Sequence, residues 1–135
     1  MELEFVFDSG DTFKLGRLSP GDETSFRKHG NEYGKKFSRF ETGHPNEDLL
    51  DYIRPIDIRM TFLKHTAKTL FGDEGTTGVY TILQRNTGKK VDLYWRERST
   101  LYQGIITNFS YSDLNTGDFD IEIEFLSVNV IEGID

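Results

Sequence analysis

The sequence predicts an α+β chain dominated by antiparallel strands. The expected core is a β-barrel or sandwich of six to seven strands, with one or two helices and a long extended loop. Three observations carry this. Apolar and polar residues alternate over 2–8, 56–62 and 118–125, the period of a half-buried strand. Turn-forming clusters, "DSGD", "NTG" and "DLNTGD", separate these runs. Between 16 and 45 the periodicity dissolves into Gly, Ser, Asn and charge.

Leu3, Phe5 and Phe7 oppose Glu2, Glu4 and Asp8, and after "DSGD" the alternation resumes at Phe13 and Leu15, so 2–15 reads as a tight hairpin. The stretch 17–45 has no internal period, yet it carries Phe26, Tyr33, Phe37 and Phe40. A flexible linker has no use for such side chains, so it reads as an interaction arm. Asn46 is a candidate N-cap for a short helix over 47–53, which Arg54-Pro55 ends. Ile56, Ile58, Met60 and Phe62 share one strand face. From there Leu63, Ala67, Leu70 and Phe71 fit helical spacing, with Gly72 as a stop, so a strand over 56–62 and a helix over 63–71 are expected. "GDEGTTG" reads as a loop. "VYTILQR", "KKVDLYWRE", "YQGIITNFSYS" and "FDIEIEFLSVNVI" read as strands, so 79–131 is the antiparallel sheet core of one domain spanning 1–135. At Leu126 the apolar phase changes, which a bulge or two buried faces would explain. Predicted core residues are Leu3, Phe5, Phe7, Ile56, Ile58, Leu63, Leu70, Ile105, Phe109, Ile121, Ile123 and Phe125. Trp95 is placed in the core or at an interface.

Without cysteine, disulfides, thiolate zinc sites and thiol nucleophiles are excluded. No apolar run approaches the roughly 18 residues of a membrane span. The first residues, "MELEFVFDSGD", lack signal-peptide character, so an intracellular site of synthesis is expected. His29, His44 and His65 show no ligand spacing, and neither "GDEGTTG" nor "TGKK" meets the Walker A pattern. "DLNTGDFDIE" places Gly117 fifth rather than sixth in an EF-hand alignment, and strands flank it, so a hairpin turn explains it better than calcium. No nucleophile elbow is present. No catalytic residue, metal, cofactor or small-molecule substrate is therefore expected. A hydrolase would have no residue constellation behind it.

Two features remain. The net charge of −7 is confined to 113–135, which holds seven acids and neither Lys nor Arg, leaving sixteen of each sign elsewhere. The segment "RKHGNEYGKKFSRF" interleaves Arg27, Lys28, Lys35, Lys36 and Arg39 with Tyr33, Phe37 and Phe40, against the single acid Glu32. Cations among aromatics are what single-stranded nucleic acid binding requires, and that is one reading. The other joins the two features: the arm docks on Asp118, Asp120, Glu122 and Glu124 of a second copy, building rings or tubes head to tail. An acidic inner wall would also let DNA pass without sticking.

The stretch "VDLYWRERSTLYQGIITNFSYSDLNTGDFDIEIEFLSV" resembles baseplate and tail proteins of phages and phage-like contractile particles. In those, a strand ending in a G-x-I-x-x-F/I-S-Y-S pattern leads through a polar turn into an alternating strand. Gly104, Ile105, Phe109, Ser110, Tyr111 and Ser112, then Ile121, Ile123 and Phe125, match it here. No LysM-type module follows. The resemblance implies a structural virion protein rather than an enzyme: a tail-tube, tube-initiator or baseplate-hub subunit in a homo-oligomeric ring. Its partners would be other tail and baseplate proteins, with DNA only as passing cargo and no membrane insertion. It would be assembled in the bacterial cytoplasm and reside in the virion tail.

Overall fold

The computed structural model of the chain describes residues 2–23, 26 and 56–134. The predicted helix over 47–53 and most of the 17–45 arm lie outside the described residues.

Six strands form one antiparallel sheet: β1 (Glu2–Phe7), β2 (Thr12–Gly16), β3 (Ile56–Thr66), then β6 (Lys90–Trp95), β7 (Thr100–Asp113) and β8 (Asp118–Glu132). Their order is β2-β1-β6-β7-β8-β3. Between β3 and β6 lie α1 (Ala67–Phe71), the two-residue strands β4 (Gly72–Asp73) and β5 (Thr76–Thr77), and α2 (Val79–Asn86). The mainly antiparallel, α+β expectation holds. The "GDEGTTG" loop contains the small β4–β5 hairpin.

The first hairpin closes as its sequence demands. The Phe7 amide donates to the Asp11 carbonyl at 2.9 Å and the Gly10 amide to the Phe7 carbonyl at 2.9 Å. Gly10 holds φ +97°, the left-handed geometry of a three-residue hairpin loop ending in a bulge. Beyond β2 the chain crosses to the opposite edge of the sheet. Leu18 bridges Phe62. The Ser19 amide donates to the Thr61 carbonyl at 2.9 Å, and the Leu63 amide to the Arg17 carbonyl at 3.0 Å. Pro20–Glu23 then turn helical, and Asp22 accepts the Thr61 amide at 2.6 Å. The two edges meet at this bridge, and the sheet is not closed along its length.

Curling of the sheet turns one face of every strand inward. Leu3, Phe5, Phe7, Phe13, Leu15, Ile58, Met60, Phe62, Val91, Leu93, Trp95, Ile106, Ile121, Ile123 and Phe125 are buried there. Phe5 meets Phe62 edge-on at 6.2 Å, linking β1 to β3 across the interior. Leu70, Val79, Ile82 and Leu83 plug the space from the two helices. Phe26 is fully buried, edge-to-face with Trp95 at 5.2 Å and with Tyr102 at 5.0 Å. The Trp95 indole nitrogen is enclosed with no hydrogen-bond partner among the described residues. Burial, with the Glu132 charge adding and Arg98 opposing, pushes the Tyr102 hydroxyl up to about 12.

Four expectations are corrected. Residues 79–86 form a helix, not a strand: Val79, Ile82, Leu83 and Asn86 recur at 3-1-3 spacing and are all buried. The strand before α1 runs on to Thr66, and only five residues are helical. A bulge at Lys64, φ +54°, keeps it paired, so that His65 opposes Phe119. The Thr66 hydroxyl then caps the short helix by accepting from the Thr69 amide at 3.2 Å. Leu63 and Ile105 leave the core, because the extended β3 and the pairing of Ile105 with Leu126 put them on the outer face, only partly buried. Ile106 is the buried residue instead. The phase change falls at Val128 rather than Leu126, where β8 bulges against Gln103 and Gly104. Ile56 and Phe109 are partly buried and pack against the core as expected, and Trp95 is core.

A polar knot ties α2 to the first hairpin. Asp11 accepts from Arg85 Nε at 2.8 Å, Arg85 Nη2 at 2.7 Å and Asn86 Nδ2 at 2.8 Å. The Ser9 hydroxyl donates to Asn86 Oδ1 at 2.8 Å. The Arg85 fork, with Asn86, holds the Asp11 carboxyl down to about 2 from 3.8. A folded-state value below the unfolded one adds stability at neutral pH and loses it on acidification. The advantage of the native protein over Asp11→Asn should therefore be constant above about pH 5 and fade between pH 4 and pH 2. Chemical denaturation across that range checks this, and a pH-independent difference would assign the effect to something other than the carboxylate.

Candidate assembly interface

The β7–β8 hairpin places the four predicted acids together. Asp118, Asp120, Glu122 and Glu124 alternate with Phe119, Ile121, Ile123 and Phe125, so the acids share the outward face while the apolar set points inward. Flanking strands supply mostly uncharged neighbours. Glu122 lies between Thr61 of β3 and Ser110 of β7, and Asp120 is beside Ser112. Asp120 also accepts the Lys64 amide at 3.0 Å, a bond the bulge makes available. Arg59 is the cation among the strip's direct cross-strand partners, 3.5 Å from Glu124, and offsets one of the four acidic charges. Glu122 is exposed. The outcome is a net negative strip on a rigid three-strand surface.

The opposite side of the same hairpin is aromatic. Phe71, Tyr80, Phe109, Tyr111 and Phe119 meet edge-on: Phe71–Tyr111 at 5.4 Å, Phe71–Phe119 at 5.5 Å, Tyr80–Phe109 at 5.5 Å and Tyr111–Phe119 at 5.7 Å. Edge-to-face pairing of this kind is favourable beyond the area it buries. Yet Phe71 is 46% exposed and Tyr111 41%. Phe71 reaches the patch because α1 follows β3 directly and Tyr80 because α2 packs on α1. Sequence reading missed this patch. Its signal was Phe109 and Tyr111 at strand spacing, but Phe71 and Tyr80 come from helices far earlier in the chain.

Arg27, Lys28, Tyr33, Lys35, Lys36, Phe37, Arg39 and Phe40 lie outside the described residues. Their segment starts from a fixed point, because Phe26 is anchored against Trp95 and Tyr102. It ends at another, because Ile56 opens β3 opposite Ser127.

No protein-family model, curated protein or solved structure matches this chain. A cleft of ≈ 380 Å³ is lined by Phe13, Lys14, Thr66, Lys68, Val79 and Ile82 among others. Lys68 is engaged there by Asp73 at 3.1 Å. Among the described residues no three His, Asp or Glu side chains are gathered as a metal ion would require. No helix of the described residues is long and apolar enough to cross a membrane.

Proposed function

We propose that this chain is a structural subunit of a phage-type tail, in the tube, its initiator or the baseplate hub, and that it assembles into a homo-oligomeric ring. The basic arm of one copy docks on the acidic strip of the next, and the curled sheet serves as a barrel-like wall. The carrying observation is the strip itself: Asp118, Asp120, Glu122 and Glu124 on one outward face, opposed by Arg59 alone among its direct cross-strand partners. The 27–40 segment of the arm, with five cations and one acid, is its electrostatic complement. Acids left uncovered by the arm would, where they line a channel, repel phosphate and let DNA slide past. Other tail and baseplate proteins would contact the free faces of the ring, in the virion.

The exposed Phe71 and Tyr111 rings favour a second reading, a single-stranded nucleic-acid-binding module, since bases stack on such platforms. The acids on the same hairpin oppose it.

Native mass spectrometry and negative-stain imaging across protein concentration and salt, with and without single-stranded DNA, separate the two. The expected result is rings or stacked tubes without DNA. Glu122→Lys with Glu124→Lys should raise the concentration needed for assembly by on the order of tenfold or more. Assembly indifferent to that reversal would remove the docking mechanism. A monomer that binds DNA and releases it as salt rises would establish the second reading.

A further inference from the structure

Among the described residues, the outer half of β7 is an open sheet edge. β6 pairs with β7 only from Thr100 to Ile105, and the Gly88 amide takes the Ile106 carbonyl at 2.9 Å. From Thr107 to Asp113, β8 is the only neighbouring strand among the described residues. The bulge between Ile106 and Asn108 sits at the point where this half departs from β6. Folded proteins blunt such edges with lysine, proline or inward-pointing charge. "TNFSYSD" carries none of these before its final Asp113. The ladder closes on the Leu114 amide donating to Asp118 at 3.1 Å. Counting back from it, antiparallel alternation turns the main-chain groups of Phe109, Tyr111 and Asp113 away from β8, toward the open side. The exposed aromatic patch lies directly against this edge on one face, and Glu122 lies one strand away on the other.

We infer that this edge accepts a strand from a second copy, and that the strand is the 33–40 stretch of its arm. The inference rests on the assembly reading above and names the contact. Chemistry selects the occupant. Extended, "YGKKFSRF" would put Tyr33, Lys35, Phe37 and Arg39 on one side and Gly34, Lys36, Ser38 and Phe40 on the other. The first set covers Tyr111, Tyr80 and Phe71 with rings and cations, both of which aromatic faces attract. Lys36 falls on the side of Glu122 and Asp120. Length permits it, since residues 27–55 can reach out and back about 50 Å. The radius of gyration of a folded domain this size is only about 14 Å. Main-chain bonds would supply affinity and the alternating side chains register, as in strand addition generally.

Cysteine cross-linking tests the contact on the full-length chain, which has no thiol of its own. Ser38→Cys paired in turn with Ser110→Cys and Ser112→Cys should give, on oxidation, a ladder of covalent oligomers. Absence of any cross-link, or a cross-link confined to the monomer, overturns the inference. As a second test, Tyr111→Pro removes an amide that faces the open side while leaving the β8 ladder intact. It should abolish rings while far-ultraviolet circular dichroism stays native. If rings survive Tyr111→Pro but are weakened by the Glu122 and Glu124 reversal, strand addition fails and charge docking stands. If neither variant affects rings, both fail. Should Tyr111→Pro not fold, the cross-link decides.

Discussion

Replacing Gly104 by alanine should destabilise the fold by about 3 kcal/mol or more, lowering the melting temperature by roughly 10 °C. Gly104 opposes Ser127 where β8 bulges. A Cβ there would stand 2.9 Å from the Leu126 carbonyl carbon and 3.1 Å from Ser127 Cα, and closer still to the Leu126 oxygen. All three are main-chain atoms of the partner strand, so no side chain can swing aside. The backbones of β7 and β8 would have to separate in the longest pairing of the sheet. Gly10, beside which an added Cβ meets nothing, provides a steric contrast. Thermal melts of Gly104→Ala and Gly104→Ser measure the effect. A loss under about 1 kcal/mol would mean that the bulge relaxes freely.

Truncating Phe26 to alanine should cost about 3–5 kcal/mol, the range for a fully buried phenylalanine. The ring packs against Trp95 and Tyr102, and its loss would leave a cavity beside an indole nitrogen that has no hydrogen-bond partner among the described residues. Trp95 is the sole tryptophan, so the same variant should shift its emission to longer wavelength as water enters. Phe71→Ala, removing a ring 46% exposed, should cost much less. Equal effects of the two substitutions would show that Phe26 is not anchored. The consequence for assembly is direct: an arm that starts from a fixed point in the core loses less freedom on docking than one that starts from a free end.

Where sequence reading and structure part, the cause is a contact between distant segments. The sequence reads "VYTILQR" as a strand, yet the segment is helical. Gly78 explains this: a Cβ on it would collide with main-chain atoms of Leu70, Phe71 and Gly72. Closed tightly there, the chain leaves α2 beside α1 over the aromatic patch, where 3.6-residue spacing buries Val79, Ile82 and Leu83. The Asp11–Arg85 fork holds its far end. Helical spacing through Leu63 predicts it inward, but the Lys64 bulge keeps the strand going and leaves Leu63 outside. The acids of the candidate site were legible, because a period of two forces Asp120, Glu122 and Glu124 onto one face once Ile121 and Ile123 are buried. The aromatic patch and the open edge were not, since each depends on where a neighbouring element stops.

By itself, the sequence determined the antiparallel character, the hairpins at 8–11 and 114–117, the inward face of β1, β3 and β8, and the acidic outward strip. Each follows from short-range alternation and turn chemistry, which act within a few residues. Only the tertiary structure decided the order β2-β1-β6-β7-β8-β3, the bridge from Leu18 to Phe62, the helical state of 79–86 and the burial of Phe26. The physical reason is that strand pairing and core packing join residues far apart in the chain, and β propensity is weak enough for such contacts to override it.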